Sequence, residues 1–208
     1  GLTEIPEELF ELTWLEGLSF SQEYVRWNKH RKYFEIKVTA NKGEPNRLQN
    51  LQPELGKLAK LKTLAVAGDP ENRWEISDLS PLSDLANLEM LYVDQTQVRD
   101  LSPLSALTNL KGLFVSQTQI RDLSPLSALT NLKGLFVSQT QVSDLSPLSL
   151  LTNLKGLHVS QTQVSDLSPL SDLTNFQVVD VSQTQVSDLS PLSDLTNLQW
   201  LNVSQTQV

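Results

Sequence analysis

Residues 110–131 read LKGLFVSQTQIRDLSPLSALTN and residues 132–153 read LKGLFVSQTQVSDLSPLSLLTN, so one 22-residue phrase is followed at once by nearly the same phrase. Between 110–128 and 132–150 only three aligned positions differ. The frame recurs outward on both sides, with its opening stretch at Leu88–Val98, Leu110–Ile120, Leu132–Val142, Leu154–Val164, Phe176–Val186 and Leu198–Val208. A short fixed period of this kind describes a solenoid, a stack of equivalent units in which each buries its apolar side only against its neighbours. The 208 residues therefore count coils rather than one central core.

Within a coil, Leu110, Leu113 and Val115 fall on one side of a short strand and its entry, while Leu123, Leu126 and Leu129 close the interior behind them. Stacking at about 4.8 Å per strand turns such positions into continuous columns, and the strands are parallel because every coil runs the same way. Ser-Pro recurs at 80–81, 102–103, 124–125, 146–147, 168–169 and 190–191. Ser is a favoured N-cap and Pro is tolerated at the first helical position, so each pair is expected to open a short helix or 3₁₀ turn with Ser as the cap. Thr-Asn at 108–109, 130–131, 152–153, 174–175 and 196–197 suits a tight return to the next strand. Asp78, Asp100, Asp122, Asp144, Asp166 and Asp188 stand just before each Leu-Ser-Pro and are expected to accept backbone N–H bonds at that turn. Cation binding by the stacked carboxylates is the rival reading, and the glycine- and aspartate-rich loop of calcium solenoids is missing.

Written as L-x-x-L-x-V-S-Q-T-Q-V-x-D-L-S-P-L-S-x-L-T-N, the repeat resembles the leucine-rich repeat, and over residues 77–208 it is similar to bacterial repeats of the internalin type. The opening Leu2-Thr3-Glu4-Ile5-Pro6-Glu7-Glu8-Leu9, followed by Leu12, Leu15, Leu18 and Phe20, resembles the repeats of bacterial Roco-type signalling proteins. The resemblance implies an α/β solenoid: a right-handed superhelix of eight or nine coils with a parallel concave β-sheet and short 3₁₀ or helical convex returns. Residues 1–60 would form irregular amino-terminal coils with a basic loop, and residues 61–208 a regular array. That family commonly places Asn where this chain has Thr96, Thr118, Thr140, Thr162, Thr184 and Thr206, so a threonine ladder is expected in its place. Ile36 and Val38 read as one more strand between polar loops near 21–32 and 41–47, and a bulging loop from Gly68 to Trp74 delays Ile76. The terminal coil ends at Val208 without a return segment, so the array is expected to be truncated, with end-to-end self-association as a way to cover the open edge.

Composition narrows the function classes. There is no cysteine, which removes disulfides, thiol chemistry and Cys-based metal sites and favours the cytoplasm, with a secreted or cell-surface location as the alternative. No stretch approaches eighteen consecutive apolar residues and no charged-then-apolar leader opens the chain, so neither a membrane span nor a signal peptide is expected. Residues 78–208 carry twelve Asp and Glu against five Lys and Arg, a balance of −7, whereas residues 21–48 carry seven Lys and Arg against three Glu, a balance of +4. An acidic array repels phosphate backbones, so no nucleic-acid partner is expected. Tyr24 to Lys32 mixes basic and aromatic residues and reads as a solvated loop or an irregular amino-terminal coil, with unspecific nucleic-acid contact as the rival reading.

The variable positions concentrate on the side of each strand that points away from the interior. One column reads Tyr92, Phe114, Phe136, His158, Asp180, Asn202; two residues earlier run Met90, Gly112, Gly134, Gly156, Val178, Trp200; beside it lie Glu89, Lys111, Lys133, Lys155, Gln177, Gln199. Stacked aromatics, exposed above glycines that leave their faces uncovered, with Lys111, Lys133 and Lys155 along one edge to steer an acidic protein, make a binding strip. Cross-strand packing of the aromatics is the bland alternative. The expected function is protein recognition for a larger signalling or effector protein, with a glycan-binding adhesin module as the rival. His158 beside Asp180 with Ser160 or Ser182 invites a catalytic reading, but the serines repeat in coils without histidine and an open sheet excludes no water, so no enzyme, metal or cofactor is expected. The loop bearing Asp69, Glu71, Asn72, Arg73 and Trp74 is a candidate extension of the strip's edge.

Overall fold

A computed structural model of the chain describes residues 1–21, 44–69 and 71–208 in full, and the backbone of 23–28 and 33–38. The strands are β1 (Gly17–Ser19), β2 (Glu23–Asn28), β3 (Tyr33–Val38), β4 (Thr63–Ala65), β5 (Met90–Tyr92), β6 (Gly112–Phe114), β7 (Gly134–Phe136), β8 (Gly156–His158), β9 (Val178–Asp180) and β10 (Trp200–Asn202). Eight of them form one open parallel sheet in the order β1-β4-β5-β6-β7-β8-β9-β10. The register is set by the apolar middle residue: Leu18, Leu64, Leu91, Leu113, Leu135, Leu157, Val179 and Leu201 stand side by side. A slip of one residue would turn that row outward, so burial specifies the pairing.

The expected extra strand at Ile36 and Val38 exists but does not join the array. β3 pairs antiparallel with β2 in a separate two-stranded sheet, with Val25 opposite Ile36 and Arg26 opposite Glu35. Only residues 29–32 separate the two strands, too few for a parallel crossover and enough for a hairpin. Part of the stretch read as a polar loop near 21–32 is thus strand; 29–32 and 39–43 lie outside the described residues.

Short 3₁₀ turns close the coils at Ser80–Leu82, Ser102–Leu104, Ser124–Leu126, Ser146–Leu148, Ser168–Leu170 and Ser190–Leu192. Ser is not their cap. The cap position is the preceding Leu, which has no side-chain acceptor, and the serine N–H is instead taken at 2.8 Å by the Asp two residues earlier in all six coils. The aspartate ladder therefore supplies the capping oxygen. In one coil Leu110, Leu113, Val115, Ile120, Leu123, Leu126 and Leu129 are all at most 1% exposed. Each such side chain contributes roughly 1.5–3 kcal/mol when buried, which no coil obtains without neighbours on both sides.

Two polar ladders hold the corners. Each threonine hydroxyl donates to the carbonyl three residues back, Thr118 to Val115 at 2.6 Å and Thr140 to Val137 at 2.7 Å, with the same bond at Thr96, Thr162, Thr184 and Thr206. The glutamine before each threonine has positive φ, 54–57° from Gln95 to Gln205. A left-handed non-glycine residue costs roughly 1–2 kcal/mol, and the threonine bond fixes the turn that demands it. The asparagines of Thr-Asn reach across coils: Asn131 Nδ2 donates to the Thr108 carbonyl and Asn153 Nδ2 to that of Thr130, both at 2.9 Å.

Candidate binding face

The open face of the sheet divides into two parts. In the amino-terminal part the aromatic column packs into a layer of its own, with Tyr92 and Phe114 only 2% exposed beside the buried Ala65 and Ala67. Their rings stack at 4.4 Å and 17° between planes, and Phe114 stacks on Phe136 at 4.3 Å and 15°. The glycine below does not leave a ring face bare. A Cβ on Gly112 would lie 2.5 Å from the Met90 Cε methyl and 3.3 Å from Phe114 Cε2, so its missing side chain makes the room that Met90 and Phe114 fill. The expected exposed strip is thus a second small core over Tyr92 and Phe114, and the packing reading holds for these two residues.

The carboxyl-terminal part is open. Phe136 is half-buried and stacks on the His158 imidazole at 4.5 Å. The His158 side chain keeps 28% of its surface and that of Asp180 14%. Val178 and Asn202 are half-buried, and Trp200 is 46% exposed with its indole 6.2 Å from His158 at 24°. Burial beneath the stacked rings lowers the His158 pKa below the ordinary histidine value, with Asp180 pulling the other way.

The Ser-His-Asp geometry does not form. His158 Nδ1 stands 3.9 Å from Asp180 Oδ2, beyond hydrogen-bond reach, and Ser182 donates both its hydroxyl, at 2.7 Å, and its N–H, at 3.0 Å, to Asp180 Oδ1. The Ser160 hydroxyl donates to Ser138 Oγ at 2.9 Å. Each serine is spent on another group, so none is activated by the imidazole. Among the described residues no three His, Asp or Glu side chains gather to hold a metal.

The lysine edge is weaker than its spacing suggests, because Lys111 Nζ is paired with Glu89 Oε1 at 2.7 Å, leaving Lys133 and Lys155 in that row. Of the loop read as an extension of the edge, Trp74 is 2% exposed in the main core, Asn72 is half-buried and accepts a hydrogen bond from Arg47, and Glu71 and Arg73 are exposed. The side chains of Tyr24 to Lys32 lie outside the described residues.

Sequence reasoning missed Asp94, which occupies the place of Ser116, Ser138, Ser160, Ser182 and Ser204. Burial pushes its carboxyl up to about 7, against the hydrogen bond it accepts from the Ser116 N–H at 2.8 Å. The signal was present as the one acid in a serine column, two residues after the buried Tyr92.

A family model of leucine-rich repeats in two copies matches residues 108–150 and again 152–194. The crystal structure of an internalin C2 from Listeria monocytogenes superposes with a TM-score of 0.69 at 31% identity, over 77% of this chain and 69% of that one. This chain belongs to the leucine-rich repeat proteins. A second Listeria monocytogenes internalin gives a TM-score of 0.56 at 28% identity, covering 78% of this chain and 59% of that one. A leucine-rich repeat protein of Leptospira interrogans gives 0.79 at 25% identity, covering 99% of this chain and 47% of that one. No curated protein sequence matches. Leucine-rich repeat domains in general bind proteins and carry out no reaction themselves. Among the described residues no helix is long and apolar enough to cross a membrane.

Proposed function

We propose that this chain is the recognition module of a larger signalling or effector protein and that it holds a protein partner on the open carboxyl-terminal half of its concave sheet. The observation that carries the reading is the contrast between a scaffold repeated almost letter for letter and an accessible set that changes at every coil: Phe136, His158, Val178, Asp180, Trp200 and Asn202. Packing alone would keep one residue per column, as the leucine columns do. Aromatic rings beside a carboxylate and an amide also make the common currency of interface anchors.

The test is a selection of displayed peptides on the immobilised chain, repeated with the Phe136→Ser and Trp200→Ser double variant. Selected peptides should lose about tenfold or more in affinity, the effect of removing one or two anchor rings, while the circular dichroism spectrum is unchanged. Peptides that bind the folded double variant as well as the parent would overturn the proposal. A glycan array run on both proteins addresses the second reading, favoured by the 46% exposure of Trp200 beside Asp180 and Asn202. Saturable sugar binding lost in the double variant, with no peptide selected, would move the assignment to a glycan.

A further inference from the structure

Resting on that concave-face reading, we infer that the open end of the sheet is a seat for one arginine or lysine side chain of the bound protein, formed by the Asp180 carboxylate, the Trp200 indole and the His158 imidazole. Strands β8 and β10 are two spacings apart, roughly 9.6 Å, yet the His158 and Trp200 rings are 6.2 Å apart. The indole therefore leans across β9, the strand that ends in Asp180. This brings an accessible aromatic face and a carboxylate to one place, the pair of groups that a guanidinium or ammonium satisfies together.

The charge on Asp180 is more than the fold requires. Its structural task is to accept the Ser182 N–H and hydroxyl, both through Oδ1. One coil later the equivalent bond, from Ser204 N–H, is accepted at 3.1 Å by Oδ1 of Asn202, a neutral residue. Among the described residues the one basic side chain within 4.0 Å of the second carboxylate oxygen, Oδ2, is the His158 imidazole, whose Nδ1 lies at 3.9 Å. That imidazole does not neutralise it at physiological pH, because burial favours the uncharged ring.

The wider field points the same way. Residues 78–208 hold twelve acids against five bases, and one of those bases, Lys111, is already paired with Glu89. Lys155, the nearest base in sequence, enters β8 three residues before His158, roughly 10 Å back along the strand direction. A cation approaching the His158 end meets Asp180 first.

The experiment titrates the 15N-labelled 208-residue chain with N-acetyl-arginine amide, N-acetyl-citrulline amide of the same shape without charge, and N-acetyl-glutamate amide. The readouts are the Trp200 indole N–H and the His158 ring resonances. The arginine probe should shift both saturably and bind about fivefold or more tightly than citrulline, and the Asp180→Asn variant should erase that difference while keeping the Ser182 bond. Equal binding of arginine and citrulline, an unchanged preference in Asp180→Asn, or preference for glutamate would each overturn the inference. The two readings fail separately: selected peptides that need Phe136 and Trp200 but carry no essential Arg or Lys would sink the cation seat and leave the protein-binding proposal standing. Arginine binding with no peptide selected would do the reverse.

Discussion

Tyr92 and Phe114 stand in the same column of the same sheet as His158 and Asp180, in coils of nearly the same sequence, yet the first two are 2% exposed while the side chains of the second two keep 28% and 14% of their surface. Facing away from the main core is therefore a different property from facing water. Where aromatics follow one another, centroid spacings of 4.3–4.4 Å bring ring against ring and build a second apolar layer with Ala65, Ala67 and Met90. Where the column turns polar at His158 and Asp180 the layer stops, and the sheet stays open. A packed apolar layer and an open, more polar stretch divide one surface between them, at Phe136.

Truncating the two phenylalanines tests that division most strongly. Phe114→Ala should destabilise the chain by about 3–5 kcal/mol, the usual cost of a buried ring, and Phe136→Ala by about 1–3 kcal/mol because one side is already wet. Urea midpoints at constant slope measure both. Equal losses would mean that the boundary does not lie between these two rings. Phe114→Ser is for the same reason a folding variant and does not test binding by itself.

Asp94 sharpens the contrast at the buried end. Its folded pKa, about 7, lies above the unfolded value of 3.8. The native state thus holds a proton that the unfolded chain gives up, and the stability tied to this group is present below about 4 and lost as pH rises through about 7. Asp94→Asn keeps an acceptor for the Ser116 N–H and removes the buried charge. It should stabilise the chain by roughly 1–3 kcal/mol at pH 8 and by little at pH 4. A gain of the same size at both pH values would assign the effect to something other than ionisation.

The scaffold was legible because every column is written six times: a single leucine is ambiguous, but Leu91, Leu113, Leu135 and Leu157 at a fixed period are not. The aspartate ladder was legible for the same reason. The hairpin was misread because Ile36 and Val38 show alternation but not their partner, and pairing with β2 is decided by the short connection. Burial of Tyr92 was hidden because a column shows which way a side chain leaves the strand, not what comes to lie beside it. The positive φ of the six glutamines carries no glycine to announce it, and the cross-coil asparagine bonds require two coils to be placed before they exist.

The smallest effect separates the two forces in the aspartate ladder, which runs with equal regularity past the buried and open halves. Neighbouring carboxylates at about 5 Å would repel by a little under 1 kcal/mol in water before screening. For Asp122 the hydrogen bonds with Ser124 come first and lower the pKa, while Asp100 and Asp144 raise it and come last. Capping therefore outweighs repulsion, and Asp122→Ala should destabilise by about 0.5–1 kcal/mol at low and at high salt. Because the folded pKa is depressed, this contribution is present above the unfolded value near 3.8 and disappears as pH falls below it. The parent and the variant should then converge in urea midpoint near pH 2. A variant more stable than the parent at low salt, with the gain vanishing at high salt, would show that the stacked charges strain the ladder and that capping is the lesser force.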